Sequence, residues 1–413
     1  MNVTLVNTDD ASGGAAVACR RLMHALYTQP NMQARLLAQK GKIQDAHIQH
    51  LTTNKLQEAK VWANIALERL AFKPYHNGEI NSFYFSPANF GMDISKHPLI
   101  KSADIIHLHW INLAFLSIKS IKKLAALNKP IVWTLHDMWV FTGGCHYSGD
   151  CTNYLKQCGH CSRFLKHPSD NDLSRRLNLK KSFFKQFNFV TCSHWLKEEA
   201  LKSSLLKEAN VISIPNPIDT EFFQPLLKNE SRHELGLDPD KQYILFGAAN
   251  LNDDRKGLQY LLDAIAILVQ QKPSTSIELL LFGKANKTEL TIPLKINELG
   301  SITTMEKMRT VYNAADLFII PSLQDNLPNT IMESMSCGTP VVGFNTGGIP
   351  EMIDHKENGY IAIFKDAEDL VNGIHFTLEN AAQLGKQARQ KVLDNYTQEI
   401  VAKKYISFYR SLK

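Results

Sequence analysis

Short, unbroken apolar runs rich in Val and Ile alternate with longer segments of helical period from one end of this 413-residue chain to the other. A strand with one wet face alternates apolar and polar side chains, whereas a strand covered on both faces by crossover helices reads as a continuous apolar run. The pattern therefore selects the α/β class with parallel sheets. In the first half the runs fall at 3–6, 35–38, 104–108, 130–135, 189–193 and 211–214. In the second they fall at 243–247, 277–283, 317–321 and 340–344, with helical stretches near 257–271, 306–315 and 330–337. Two Rossmann-like, doubly wound halves are expected. Between them IPNPIDTEFFQP carries Pro215, Pro217 and Pro225, which forbid a regular helix and place a linker at 215–225. The expected domains are then 1–214 and 226–395, with a final helix at 396–413 crossing back to the first. Ligands of open parallel sheets sit beyond the carboxyl ends of the strands, so two such domains are expected to face a central cleft.

Composition excludes several classes. With 44% apolar and 21% charged residues the chain is an ordinary globular one, and a net charge of +6 over its whole length is too diffuse to argue for nucleic acid. No run approaches the roughly 18 apolar residues of a membrane-spanning helix. The N-terminus has no basic residue before Arg20 and two Asp where a secretory signal would continue its apolar core, so a cytoplasmic protein is expected. Seven cysteines, an odd number, argue against a secreted disulfide scaffold.

Several strand ends carry candidate chemistry. The first strand runs through NTDDASGG into a helix, where Gly13 and Gly14 suit either a phosphate at a helix N-terminus or a turn needing positive φ. It is not a GxGxxG, and no acid stands at the ribose-binding spacing, which disfavours a nicotinamide enzyme. TLHDMW puts His136 at a strand's carboxyl end, able to bond a sugar hydroxyl or shuttle a proton, or else to sit satisfied in the core. His107 and His109 of IIHLHW are read as lying on opposite faces and structural. Arg255 and Lys256, at the start of a helix, oppose its dipole unless they hold an anion such as a diphosphate; otherwise they are a solvated pair. In IIPSLQDNLPNTIMESMSCGTPVV a loop carries Asp325 and the following helix carries Glu333, two carboxylates suited to sugar and ribose hydroxyls beside a helix N-terminus that receives phosphate. As a plain alternative, Glu333 serves only the helix dipole.

Together these residues resemble glycosyltransferase family four, the retaining GT-B enzymes of bacterial surface-polysaccharide biosynthesis that use nucleotide-sugar donors. The resemblance rests on the double-glycine opening, TLHD, IPNPIDTEFF, RKG and PSLQDNLPNTIMESMSCGTPVV, the last at the spacing of the family's Pro-Ser-x-x-Glu-Gly-Phe-Gly and Glu-Ala-x-x-x-Gly-x-Pro-Val. It implies His136 near the donor sugar, Lys256 on the diphosphate and Glu333 on the ribose. Asp325 replaces the family's first Glu and is one methylene shorter. Pro328 offers no N–H, so phosphate contacts fall to Asn329 and Thr330. The family's Gly-Arg after the first strand of the second domain is absent, leaving Arg255 to supply that charge. The resemblance further implies metal-independent hexosyl transfer to a saccharide or lipid-linked saccharide; a nucleotide-sugar 2-epimerase or phosphorylase and an inactive binding module are the competing readings.

Two features stand apart. Cys145, Cys151, Cys158 and Cys161 lie within 17 residues, so a structural zinc, disulfides and plain thiols all stay open. Residues 173–197 hold six cations and no acid, interleaved with Phe183, Phe184, Phe187 and Phe189, and Lys119, Lys122, Lys123 and Lys129 form a second basic stretch. These suggest peripheral contact with anionic lipid on the inner face of the cytoplasmic membrane, or a solvated face over core phenylalanines.

Overall fold

In the computed structural model, which describes residues 1–272, 276–284 and 293–413, the chain divides into two units. The first comprises Met1–Asn216 with Val401–Lys413 and the second Pro217–Ile400. The strands of the first are β1 (Asn2–Asp9), β2 (Gln33–Lys40), β3 (Ile48–His50), β4 (Ile105–Leu108), β5 (Ile131–Leu135), β6 (Asn188–Thr191) and β7 (Asn210–Ser213). They pair in parallel in the order β3-β2-β1-β4-β5-β6-β7, with Leu5 opposite both Leu36 and His107, and Trp133 opposite Phe189.

Successive residues enter opposite cores. Ile106, Trp133, Leu135 and Phe189 pack on one face with Ile121 and Leu124 of helix Ile118–Ala125 and Leu196 of helix His194–Lys202. Leu5, Ile105, Val132 and Val190 pack on the other under helix Gly14–Tyr27 and the C-terminal residues Val401, Tyr405 and Tyr409. Both faces are dry, which is why these strands read as continuous apolar runs.

The second unit repeats the plan with β8 (Gln242–Asn250), β9 (Ile277–Lys284), β10 (Ile296–Gly300), β11 (Leu317–Ile320), β12 (Val341–Phe344) and β13 (Gly359–Ala362). All are parallel, in the order β10-β9-β8-β11-β12-β13. Leu261 and Leu268 of helix Leu258–Gln271 and Leu370 and Ile374 of helix Ala367–Glu379 cover one face of this sheet. Every apolar run singled out in the sequence overlaps a strand, and the three helical stretches fall within a residue of Leu258–Gln271, Met305–Ala314 and Asn329–Ser336. The strands the sequence did not signal, β3, β10 and β13, all lie at sheet edges. An edge strand has one neighbour and partial exposure; β3 and β10 accordingly mix His, Gln, Asn and Glu into their apolar residues.

Helix Gln398–Ser411 contributes its residues from Val401 onward to the first unit, where they carry polar groups as well as apolar ones. The His107 ring holds the Tyr409 hydroxyl at Nδ1 and the Thr134 hydroxyl at Nε2, both at 2.7 Å, and Thr134 in turn lies 3.0 Å from the Tyr405 hydroxyl. The four side chains are buried. Burial pushes the His107 imidazole down to about 3, with the nearby charge of His136 adding to it, and raises both tyrosines well above their ordinary range. His107 and His109 do not lie on opposite faces: residues two apart in a strand share one face, and the two rings are 4.3 Å apart.

In the basic stretch at 173–197 the phenylalanines follow the core alternative of its two readings. Phe184, Phe187 and Phe189 belong to the core, and Lys181 is buried with its ammonium donating to the Trp139 and Thr142 carbonyls at 2.6 and 2.7 Å. The apolar residues expected to meet lipid are inside the protein.

Tyr409→Phe removes one hydroxyl and leaves His107 Nδ1 buried without its partner. It is expected to lower unfolding stability by about 1–3 kcal/mol, read as a fall in urea midpoint at unchanged slope.

Candidate functional site

In the first unit the candidate groups gather where β1, β4 and β5 end. Gly13 caps helix Gly14–Tyr27 at φ 90° with open space where a Cβ would stand, so the turn needs positive φ and leaves room for a ligand. The Asp9 carboxylate accepts from the Ala11 and Ser12 N–H groups at 2.9 and 2.7 Å and shapes the turn. Asp10, buried, accepts from the Ile43 N–H and meets His50 Nε2, both at 2.8 Å. Beside this turn lies a cleft of about 440 Å³ bordered by Asp9, Ser12, Lys40, Lys42, Glu58 and Trp62.

His136 follows β5. Its Nε2 lies 3.0 Å from His109 Nδ1 and its Nδ1 lies 3.7 Å from the Cys192 sulfur. His109 is buried and its Nε2 has no hydrogen-bond partner. A bare acceptor is tolerated in a core better than an orphaned N–H, which assigns the proton to His109 Nδ1 as donor to His136 Nε2. Burial lowers the His136 imidazole to about 4 despite the pull of Asp137, and lowers His109 well below its ordinary value. His136 is thus a neutral hydrogen-bonding group at physiological pH. Asp137 accepts from His146 Nδ1 (2.7 Å), Trp110 Nε1 (2.9 Å) and the Trp139 N–H (2.9 Å). Burial alone would raise its carboxyl, but the charge and hydrogen bonds of His146, with those of the other donors, outweigh it and hold the group low. His146 Nε2 lies 2.9 Å from the Ser86 hydroxyl, tying the loop after β5 into the fold.

In the second unit the groups stand at the ends of β8 and β11. Arg255 and Lys256 occupy the short turn Asp254–Lys256, where Asp253 pairs with the Arg255 guanidinium at 2.6 Å. Gly257 follows at φ 69°, and a Cβ there would lie 1.8 Å from the Pro321 carbonyl oxygen, so only glycine lets the two loops approach. The Leu323 N–H donates to the Arg255 carbonyl at 2.7 Å across the same contact. Lys256 Nζ reaches Asp325 Oδ2 at 2.5 Å. Helix Asn329–Ser336 opens after Pro328, which supplies no capping side chain, so Asn329 and Thr330 stand at an N-terminus suited to an anion. Glu333 is buried with Oε2 accepting from the Tyr312 hydroxyl at 2.9 Å. Lys256 and Asp325 are therefore in contact, and Arg255, Asn329, Thr330 and Glu333 share their unit; Gly13, Gly14 and His136 belong to the other. Tyr312, Cys192 and His146 escaped the sequence reading and His109 entered it only as structural, because nothing in local spacing marks a side chain that acts by bonding another across the fold.

The cysteine loop holds no disulfide among the described residues. Cys145, Cys151, Cys158 and Cys161 are free thiols, and among the described residues no three His, Cys, Asp or Glu side chains are arranged to hold a metal ion. The loop has a core of its own: Phe72, Phe85, Phe164, Leu165 and Leu177 cluster there with Cys145 and Cys161 packed against them. Burial raises Cys145 and pushes Cys158 and Cys161 up to about 12, with the charge of neighbouring cysteines adding to each shift.

A family model described as Glycosyltransferase Family 4 matches residues 12–222, and one described as Glycosyl transferases group 1 matches residues 241–380. The chain belongs to glycosyltransferase family 4. It is accordingly a glycosyltransferase that uses a nucleotide-sugar donor. It is 24% identical to WcaC of Escherichia coli K12, provisionally described as a colanic acid biosynthesis glycosyl transferase, over 100% of both chains. Among solved structures it resembles sucrose-phosphate synthase from Thermosynechococcus elongatus, with TM-score 0.69 and 20% identity over 100% of this chain and 99% of that one. It also resembles Anabaena HepE, solved with UDP and with UDP-glucose, with TM-score 0.64 and 15% identity over 100% of both chains for the UDP complex. The fold, with its two doubly wound parallel sheets, is GT-B. No helix among the described residues is long and apolar enough to cross a membrane.

The three linked histidines give a pH signature. Their ordinary value is 6.5, while folded His107 sits at about 3, His136 at about 4 and His109 well below normal. Unfolded imidazoles bind protons that the folded ones refuse, so stability is full above about pH 6.5 and falls as pH drops toward 4. Urea midpoints measured across this window should decline, with unfolding taking up roughly three protons at pH 5, one per histidine.

Proposed function

We propose that this protein is a metal-independent, retaining hexosyltransferase that extends a lipid-linked saccharide in the biosynthesis of a bacterial surface polysaccharide. The observation that carries the donor side is the Lys256–Asp325 ion pair at the end of β8 and β11, in the unit that also holds Glu333 with Tyr312 behind it. An ammonium has three donors, so Lys256 can keep Asp325 with one and meet the donor diphosphate with another. Asp325 then faces sugar hydroxyls, Glu333 the ribose, and Arg255 with the N–H groups at Asn329 and Thr330 the phosphates. The bond from the anomeric carbon to the phosphate oxygen breaks as the acceptor oxygen bonds the same face of that carbon. The acceptor proton passes to the leaving phosphate. No protein nucleophile is required, and the cations and N–H groups stabilise the charge that grows on the diphosphate.

Metal independence is supported by where the acids are spent. Of the Asp-x-Asp pairs in the chain, Asp172 caps helix Leu173–Lys180 and Asp238 accepts the Asp240 N–H. The full-length likeness to WcaC supports the polysaccharide setting, and the UDP-glucose complex of HepE makes a uridine diphosphate hexose the first donor to try.

Three variants test the reading, each with nucleotide affinity, turnover and melting temperature measured side by side. Glu333→Gln loses a charge-assisted bond of roughly 1.5–3 kcal/mol and should weaken donor use about ten- to a hundredfold. Lys256→Ala should act mainly on turnover, because the diphosphate gains charge only as the bond breaks. His136→Ala should lower turnover with nucleotide affinity retained. Donor-dependent activity in Glu333→Gln equal to the parent's would sink the donor assignment. Donor isomerisation instead of transfer would favour the epimerase, and nucleotide binding without turnover the inactive module.

A further inference from the structure

Strands β1 and β2 end side by side, with Asp9 opposite Lys40, and both residues border the cleft of about 440 Å³ in the first unit. The carboxyl ends of parallel strands are where open sheets place their ligands. One wall of the cleft comes from helix Lys55–Phe72, whose Val61 and Ile65 are buried in a cluster with Ala114. Glu58 and Trp62, one turn apart on that helix, both border the cleft. Trp62 is 65% exposed, so its indole is open to a ligand. Thr52, also at the border, holds a buried hydroxyl with no hydrogen-bond partner.

The charges around this cleft are unequally committed. Asp9 accepts the turn N–H groups of Ala11 and Ser12 beside the positive end of helix Gly14–Tyr27. Asp10 is taken up by His50, the Ile43 N–H and the charge of Arg20. The Lys40 ammonium lies over the Trp62 ring at 5.8 Å, and among the described residues neither Lys40 nor Lys42 pairs with a carboxylate. Glu58 stands in the first turn of its helix, where the dipole favours an anion, and its carboxylate has no partner among the described residues. Two unpaired ammoniums and one unpaired carboxylate thus flank an open aromatic ring.

We propose that this cleft seats a pyranose ring that carries a carboxylate, the acidic residue of a saccharide acceptor. The apolar C–H face of such a ring lies on Trp62, Glu58 accepts from ring hydroxyls, and Lys40 and Lys42 hold the carboxylate by charge-assisted hydrogen bonds. A neutral hexose would make no use of the two ammonium charges. A nucleoside diphosphate is a poorer occupant, because its further negative charge would face Glu58 and Asp9 at the same rim. Calling the occupant an acceptor rests on the saccharide transfer proposed above; the preference of the cleft for an acidic ring does not.

Methyl β-D-glucuronide and methyl β-D-glucoside share one ring and differ by the carboxylate, so they are the probes, with binding to the full chain followed by saturation-transfer NMR. At low salt the glucuronide should bind about three- to tenfold more tightly than the glucoside. Lys40→Gln combined with Lys42→Gln should erase that difference, whereas Lys119→Gln with Lys122→Gln should keep it. Trp62→Ala should weaken both sugars about fivefold or more, and Trp62→Phe should recover most of the loss. Melting temperature should hold in every variant, because none of these side chains is buried. The proposal is overturned if neither sugar binds, if the two bind equally, or if the double lysine variant keeps the preference. Competition of uridine diphosphate with the glucuronide would overturn it too, by giving the cleft to the nucleotide. Uridine diphosphate affinity, followed in the same preparations, should be the same in Trp62→Ala as in the parent, and its loss in the parent would count against the donor reading alone.

Discussion

Short parallel strands sealed on both faces leave no room for chemistry within the sheets, and this constraint organises each unit. Inside, a polar group survives only with a partner. His107, Thr134, Tyr405 and Tyr409 show the consequence: the last helix returns to the first unit and supplies the two hydroxyls that its interior strands need. The helix is therefore part of the first core, although its residues come from the far end of the chain. Reactive groups are driven to the carboxyl ends of β1, β4, β5, β8 and β11, where backbone and side chains are no longer sealed.

At those ends, precision comes from close backbone approach more than from side-chain packing. Gly257 admits the Pro321 carbonyl, and Gly347 comes so near the Asp325 backbone that a Cβ would lie 1.9 Å from its carbonyl oxygen. Both contacts hold the loop that carries Asp325, so a carboxylate one methylene shorter than the family's glutamate is fixed in place and still meets Lys256. In the first unit the same role falls to hydrogen bonds: His109 and Cys192 flank His136, while Asp137 is held by His146 and Trp110. His136 is kept neutral by its surroundings, which makes it an orienting group before it is a proton carrier.

Charge read along a chain and charge read on a surface give different maps. Lys181 counts as a cation in the sequence yet lies buried among carbonyls, and the phenylalanines around it are core. Conversely, helix Lys55–Phe72 has no run of basic residues to attract notice, and its alanines dilute the apolar period. Only exposure reveals that its leucines and tryptophan face outward, with lysines and arginines from three separate segments nearby.

The sequence by itself determined the class, the parallel sheets, the interior strands and the family motifs, because burial on both faces writes itself into local composition and because PSLQDNLPNTIMESMSCGTPVV is contiguous. It could not determine the edge strands β3, β10 and β13, whose single neighbour relaxes the apolar demand. Among the candidate site residues it marked Arg255, Lys256, Asp325 and Glu333 by spacing, but not Tyr312, which bonds Glu333 from 21 residues away. Nor could it tell that the cysteine loop has its own aromatic core or which helix face is bare. Those outcomes depend on contacts between residues distant in sequence, and such contacts exist only once the chain has closed around its two sheets.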